Sequence, residues 1–312
     1  MKASKTIDDA CAALVDEFQS RPTIRAGSLI TTVFGDSIAP RGGTVWLGSL
    51  ITAMADFGIN ERLVRTSVFR LARDGWLKSV QQGRRSYYSL TEDGRERFKS
   101  ATHRIYGKPS GDWDGYWCFV LLPQLNAVTR DLVKRECGWL GFGALSTNVI
   151  AHPAPNREDL DKTLSRLGVA AEVVVVTGHT VHSDEAMRAL ATDSWKLGEL
   201  DERYAEFVQR FRPAHDALAD DTVVLPKTAF LIRTLLIQEY RKILLRDPQM
   251  PDELLPNDWH GAEAYQICRR LYRRLSKPCD AYLTATMQNA DGALPPPDRE
   301  YLDRFGGLGG KK

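Results

Sequence analysis

Apolar positions recur along this chain with two different periods, and the changes of period divide it into parts. Between residues 24 and 34, Ile24, Leu29, Ile30, Val33 and Phe34 fall near helical spacing and Gly35-Asp36 closes the run, which predicts a first helix. Thr44-Val45-Trp46 is a short β-like stub. Leu47, Leu50, Ile51 and Met54 then share one helical face before Gly58, predicting a second helix. A third follows the N-cap candidate Asn60 and holds Val64, Val68 and Leu71 inward at i, i+4 and i+7 until Asp74-Gly75. Residues 76–80 and 86–90 are β-prone runs joined by Gln81-Gln82-Gly83-Arg84-Arg85, a hairpin with a basic tip. Thr91 caps a basic helix that reaches about Tyr106.

Residues 107–112 are turn-rich, and beyond them the pattern changes. A strand over 116–122, a helix over 126–137, a strand over 144–151, a helix over 156–167 and a strand over 171–177 give the order β-α-β-α-β. With room for one more short strand, this matches a split βαβ, ferredoxin-like unit. From 193 to 220 the residues Trp195, Leu197, Leu200, Tyr204, Phe207, Val208 and Phe211 recur every 3 to 4, predicting one long helix. Another spans 227–245, a Pro-punctuated connector follows over 246–256, and a last basic helix covers 262–275. The expected fold class is α+β in five parts. They are a flexible lead (1–20), a winged helix-turn-helix DNA-binding domain (21–107), a ferredoxin-like dimerisation domain (112–180), a mainly helical effector-sensing domain (190–290) and a flexible tail (291–312).

Over the 312 residues, 42 Lys and Arg nearly balance 40 Asp and Glu, so the net charge of +2 favours no partner. The balance is local cancellation. Residues 1–110 carry 17 basic against 11 acidic side chains, a net +6, and residues 60–110 alone reach +7. On the third helix the residues left outward are Arg62, Arg65, Thr66, Phe69, Arg70 and Arg73, and only Glu61 and Asp74 at its ends are acidic. A helix face dominated by guanidinium groups, second in a helix-turn-helix, suits the major groove of double-stranded DNA. The hairpin tip adds Arg84 and Arg85 for the phosphate backbone or the minor groove. Because helix-turn-helix proteins commonly pair to reach two half-sites, the central unit is expected to make a homodimer.

Other chemistry is sparsely marked. The five cysteines are widely spaced, which predicts reduced, buried thiols and neither a disulfide framework nor a metal site. Asp8 and Asp9 interrupt the apolar N-terminal run, and no apolar run approaches the ~20 residues that span a bilayer, so a cytoplasmic protein without membrane contact is expected. The rival reading is an enzyme, a metal-dependent nuclease or a CoA-thioester enzyme built on the central or C-terminal domain. Leu122-Pro123 closes the first central strand where such a nuclease needs Asp, Asp112 and Asp114 read as loop and cap residues, and His260 has no nucleophile beside it. No catalytic residue, metal ligand or cofactor is therefore nominated. In the C-terminal helices Arg233, Tyr240, Arg241, Lys242 and Arg246, with Trp259 after the connector, either hold an anionic, partly apolar ligand or form a solvated face.

Several segments together resemble the PaaX family, repressors of phenylacetic acid degradation genes. They include Ser28-Leu29-Ile30 with Phe34-Gly35-Asp36, Arg41-Gly42-Gly43 through Trp46-Leu47-Gly48-Ser49-Leu50, and Val64-Arg65-Thr66 with Arg70-Leu71 and Asp74-Gly75-Trp76-Leu77. Gly83-Arg84-Arg85-Ser86-Tyr87-Tyr88, Trp113-Asp114-Gly115, Trp139-Leu140-Gly141-Phe142-Gly143, Tyr240-Arg241-Lys242 with Leu245-Arg246-Asp247-Pro248, Leu254-Leu255-Pro256 and Trp259 continue the match to about Met287. The resemblance implies a dimeric repressor of an aromatic-acid catabolic operon, released from operator DNA by an aryl-acyl-CoA effector such as phenylacetyl-CoA. It also implies that Arg65, Thr66 and Arg70 read bases or position the helix, and that Arg84, Arg85 and Tyr87 hold the wing on phosphate.

Overall fold

The computed structural model describes residues 6–107, 113–153, 155–180, 184–218 and 222–308. Its first element overturns the expected flexible lead. Thr6 and Asp9 form a capping box that opens α1 (Ile7–Gln19), and Ile7, Ala10, Cys11, Leu14 and Phe18 are buried at helical spacing. Next come α2 (Ala26–Val33), a π-helical turn over Phe34–Ile38 that buries Asp36 and Ser37, β1 (Thr44–Trp46) and α3 (Leu47–Ala55). α4 (Glu61–Arg73), β2 (Leu77–Gln82), β3 (Arg85–Leu90) and α5 (Glu92–Tyr106) complete the elements that the spacing predicts between residues 24 and 106.

β4 (Tyr116–Leu121) and α6 (Ala127–Gly138) follow. The single strand expected over 144–151 is a hairpin of β5 (Gly143–Ser146) and β6 (Val149–His152), and this supplies the missing fourth strand. After α7 (Arg157–Arg166) and β7 (Val174–His179) the helix expected over 193–220 is two. α8 (Asp184–Trp195) and α9 (Leu197–Asp216) are separated by Lys196, whose φ of 54° is left-handed and breaks the helical repeat. α10 (Pro226–Leu244) keeps its expected place, whereas α11 (Gly261–Thr286) runs well past residue 275 with Pro278 inside it. β8 (Gln288–Asn289), β9 (Gly292–Ala293) and α12 (Arg299–Leu302) finish the chain.

The chain forms two compact units. The first gathers residues 6–107, 205–245 and 262–308, so α10 and α11 do not belong to a separate effector domain. Aromatic side chains bind them to the N-terminal elements: Phe18 to Phe57, Phe57 to Phe230, and Phe230 stacked on Tyr282 at 4.5 Å. α10 is buried on nearly all sides, which explains why its sequence lacks a clean polar face. A charged cluster lies beneath. Asp36 accepts from Tyr106 and Tyr272 and pairs with Arg233 (3.0 Å) and Arg304 (3.2 Å), while Arg41 pairs with Asp280 at 2.5 Å. Burial alone would raise the Asp36 carboxyl, but the two guanidinium charges and the two phenol donors hold it below its ordinary value.

The expected flexible tail also proves to be structure, because Tyr301, Arg304 and Phe305 are buried in this unit; only its last residues, 309–312, lie outside the described ones. In the second unit, residues 113–204 and 246–261, the sheet order is β5-β6-β4-β7 with every pairing antiparallel. α6 and α7 cover one face through Val120, Val133, Ile150, Leu160 and Leu164. On the opposite face Trp117 is buried beside Trp195 of α8, while Phe119 and Leu121 are half-buried and Val174 and Val176 are exposed. All five cysteines are free and buried, and among the described residues no helix is long and apolar enough to cross a membrane.

Candidate nucleic-acid interface

α4 begins at Asn60, whose side chain accepts from the Leu63 amide at 2.9 Å and satisfies one of the helix's open donors. Val64, Ser67 and Val68 turn inward, and this leaves Arg62, Arg65, Thr66, Phe69, Arg70 and Arg73 exposed on one helix, as the spacing predicts. Phe69 is 65% exposed, a large apolar ring standing among arginines. Arg65 pairs with Glu61 at 2.7 Å and Arg73 with Asp74 at 3.2 Å. Exposed pairs of this kind hold each other by only ~0.2–1 kcal/mol, so a phosphate or a guanine edge displaces them readily.

β2 and β3 run antiparallel from Leu77 opposite Leu90 to Gln82 opposite Arg85, with Gly83 at φ 60° in the two-residue turn. A left-handed first turn residue suits the twist of such a hairpin and favours glycine. Arg84 stands exposed at the tip. Arg85 stacks its guanidinium 4.5 Å over the Trp46 ring and lies 3.4 Å from the Gln288 amide oxygen. Tyr87 departs from its expected role. β3 is the central strand, so Tyr87 stands between Trp46 and Val80, is only 6% exposed, and packs instead of facing phosphate.

The C-terminal cations do not form one site. Arg233 is fully buried, with Asp36 and the hydroxyls of Ser37 and Tyr301 around its guanidinium. Tyr240 is buried against Phe207, and Lys242 pairs with Glu239 at 2.9 Å. Arg241 donates to Thr32 Oγ1, to the Ser28 carbonyl and hydroxyl, and to Gln238. Arg246 and Trp259 belong to the second unit, where Trp259 meets Tyr204 edge-on. The helical period explains the difference: Arg233, Ile237, Tyr240 and Leu244 fall on one inward face, so Arg233 meets Asp36, while Arg241 ties α10 to α2 and Lys242 pairs within α10 itself. In the second unit Asp114 accepts from the Tyr116 amide, the loop role expected of it, while Asp112 lies outside the described residues. His260 is tied to Asp201 through its backbone amide (2.7 Å) and Nδ1 (2.9 Å). Among the described residues no His, Cys, Asp and Glu cluster is placed to hold a metal ion.

Three consecutive family matches cover most of the sequence: "PaaX-like protein" over residues 25–94, "PaaX protein central Cas2-like domain" over 110–190 and "PaaX-like protein C-terminal domain" over 195–285. The chain belongs to the PaaX family. It is 39% identical over 284 residues to the transcriptional repressor PaaX of Escherichia coli strain K12, covering 90% of each chain. Among solved structures it is similar to the uncharacterized protein Rv0674 from Mycobacterium tuberculosis, at 26% identity over 75% of this chain and 90% of that one, with a TM-score of 0.49. Two residues beside the arginine surface of this PaaX-family chain were missed in the sequence. Trp46 reads there only as part of a β stub and Gln288 carries no signal at all, yet both meet Arg85, Trp46 from the neighbouring strand β1 and Gln288 from β8 far along the chain.

Proposed function

We propose that this chain is a dimeric transcriptional repressor that binds operator DNA through a winged helix-turn-helix. In this reading α3 and α4 are the helix-turn-helix and the β2–β3 hairpin is the wing. α4 enters the major groove, where Arg65, Thr66 and Arg70 read bases while Arg62, Phe69 and Arg73 position the helix. Arg84 and Arg85 rest on phosphate. The observation that carries the reading is the capped α4 helix, which exposes four arginines on a face free of carboxylates between its two ends. Membership of a family that includes a named repressor supports it, and the chain is not an enzyme.

The β-α-β-β-α-β order of the second unit supports a ferredoxin-like fold, and its partly exposed Phe119, Leu121, Val174 and Val176 face supports that unit as the dimer contact. The genes controlled are those of aromatic-acid, phenylacetate-type catabolism, and an aryl-acyl-CoA such as phenylacetyl-CoA releases the operator. Acting on operator DNA puts the protein in the cytoplasm. Fluorescence anisotropy with a fragment from upstream of the protein's own operon tests the assignment at two salt concentrations. Arg70→Ala is expected to weaken specific binding by ~1–3 kcal/mol and relax sequence preference, and Arg84→Ala to weaken all sequences and flatten the salt slope by about one. Wild-type affinity in both variants overturns the reading.

A further inference from the structure

Where α2, α5 and α10 meet, the first unit holds a partly open cavity of ≈ 200 Å³. Trp76, Phe98, Ala101, Ile105 and Ile237 make its wall mainly apolar, Arg241 and Arg97 contribute guanidinium groups, and the Asp36 carboxylate, already paired with Arg233 and Arg304, lies at its edge. A more open cavity of ≈ 220 Å³ adjoins it around Phe98 and carries Arg95 and Lys99. The chamber is larger than the about 150 Å³ that suffices for a benzene ring in an apolar interior.

Arg241 distinguishes this chamber from a packing defect. Its hydrogen bonds run to Thr32 Oγ1 (2.7 Å), to the Ser28 carbonyl (2.9 Å) and hydroxyl (2.8 Å), and to the Gln238 amide oxygen (3.4 Å), all of them neutral. Glu239, the carboxylate that acts on it through space, hydrogen-bonds Arg21 and Lys242 instead. Burial lowers the proton affinity of this guanidinium, the direction expected of a cation short of counter-charge. Arg241 is part-buried, and a partly desolvated charge still gains from an anionic or strongly polar partner. Elsewhere in the same unit the buried arginines Arg41, Arg233 and Arg304 each have a carboxylate.

We propose that this chamber is the effector pocket and that it takes an arylacyl group, with the ring among Trp76, Phe98 and Ile237 and the acyl oxygen on the Arg241 guanidinium. The inference rests on the effector reading above and adds the site. A free arylacetate and an arylacyl thioester share this chemistry, and the thioester's remaining part would leave past Phe98 toward Arg95 and Lys99.

Calorimetry on the full chain with phenylacetate and with phenylacetyl-CoA separates the two sources. Ala101→Leu narrows the chamber from α5, and Arg241→Gln keeps a hydrogen-bonding side chain without the charge. Each is expected to weaken the ligand at least tenfold while ligand-free operator affinity stays within twofold of wild type. Hydrogen exchange on the unmodified protein gives an independent reading, because bound ligand is expected to slow the amides of α5 and α10 around the chamber. Binding of either probe with these effects supports the pocket, and the probe that binds identifies the source. If the wild type binds a probe but both variants bind it within threefold and α5 and α10 gain no protection, the pocket is wrong and the effector reading stands. If the wild type binds neither probe, the effector reading fails and the pocket with it.

Discussion

Replacing Asp36 with asparagine removes the carboxylate shared by Arg233 and Arg304 while leaving its volume almost unchanged. In the wild type those guanidinium groups stand 3.0 and 3.2 Å from the Asp36 oxygens, and neither side chain is more than 4% exposed. The new carboxamide can still meet the Tyr106 and Tyr272 hydroxyls but offsets no charge. Breaking a buried pair from one side typically destabilises by ~3–5 kcal/mol. The 3.5 Å contact of Arg233 with Asp280 leaves part of the compensation in place, which puts the loss toward the lower end of that range. For a unit of roughly 200 residues at ~2–4 °C per kcal/mol, the expected fall in Tm is about 6–16 °C by calorimetry. Asp280→Asn is the comparison: Arg233 keeps Asp36, but Arg41, whose side chain is 1% exposed, loses its paired carboxylate, so a loss of similar order is expected. The pH dependence follows from the lowered Asp36 value. The carboxylate stabilises the native state fully above about pH 4, its ordinary range, and less as pH falls through the native value. The gap between wild type and variant should therefore narrow in acid. A D36N protein within about 1 kcal/mol of wild type at neutral pH would refute the view that this cluster holds the two ends of the unit together.

Phe18→Ala, which truncates α1 beneath Phe57, is expected to lower stability by ~3–5 kcal/mol in urea titration, whereas a flexible lead predicts no change. Burial pushes the Tyr106, Tyr272 and Tyr301 phenols above their ordinary value of 10.0. Because the native state keeps those protons longer than the unfolded chain, stability is full below about pH 10 and falls as pH rises further. Absorbance at alkaline pH should show these three tyrosines ionising together with loss of the far-ultraviolet helix signal, and ionisation within an intact fold would contradict their burial.

Much of the first hundred residues was legible because its signals are local. Asn60 and Thr91 accept from the amides three positions on, as their types predict, and Gly83 sits where a two-residue turn needs a left-handed residue. α1 was hidden by a misread sign. Asp8 and Asp9 look like interruptions of an apolar run, but in the first turn of a helix they are favourable, one closing the capping box and both facing the positive end of the dipole. The C-terminal arginines failed for a different reason. Spacing leaves Arg233 between apolar positions and open to a ligand or to solvent, and that it meets a carboxylate instead depends on Asp36, far away in the chain and placed by a π-helical turn that no local pattern announces. Tyr87 shows the same limit, since strand alternation says which side it faces and not that β1 flanks it.

Trp76 joins the exposed arginine helix α4 to the chamber. Its amide donates to Leu71 at the end of α4, its carbonyl accepts from Thr91 at the start of α5, and its ring meets Phe98 at 5.5 Å and Arg97 at 4.9 Å. Thr91 also bonds the Gly75 carbonyl at 2.6 Å, so α4, the β2–β3 hairpin and α5 converge on one short stretch of backbone. An occupant of the chamber can release DNA only if it binds one arrangement of Trp76 and Phe98 more tightly than the one that fits the operator. A hundredfold loss of operator affinity requires a difference of about 2.8 kcal/mol at 1.4 kcal/mol per tenfold, near the upper end of ordinary coupling. Linkage makes the effect reciprocal: saturating operator must weaken effector binding by the same hundredfold. Titrating the arylacyl probe with and without operator duplex measures that coupling, and probe affinity left unchanged by saturating operator would refute release through this chamber.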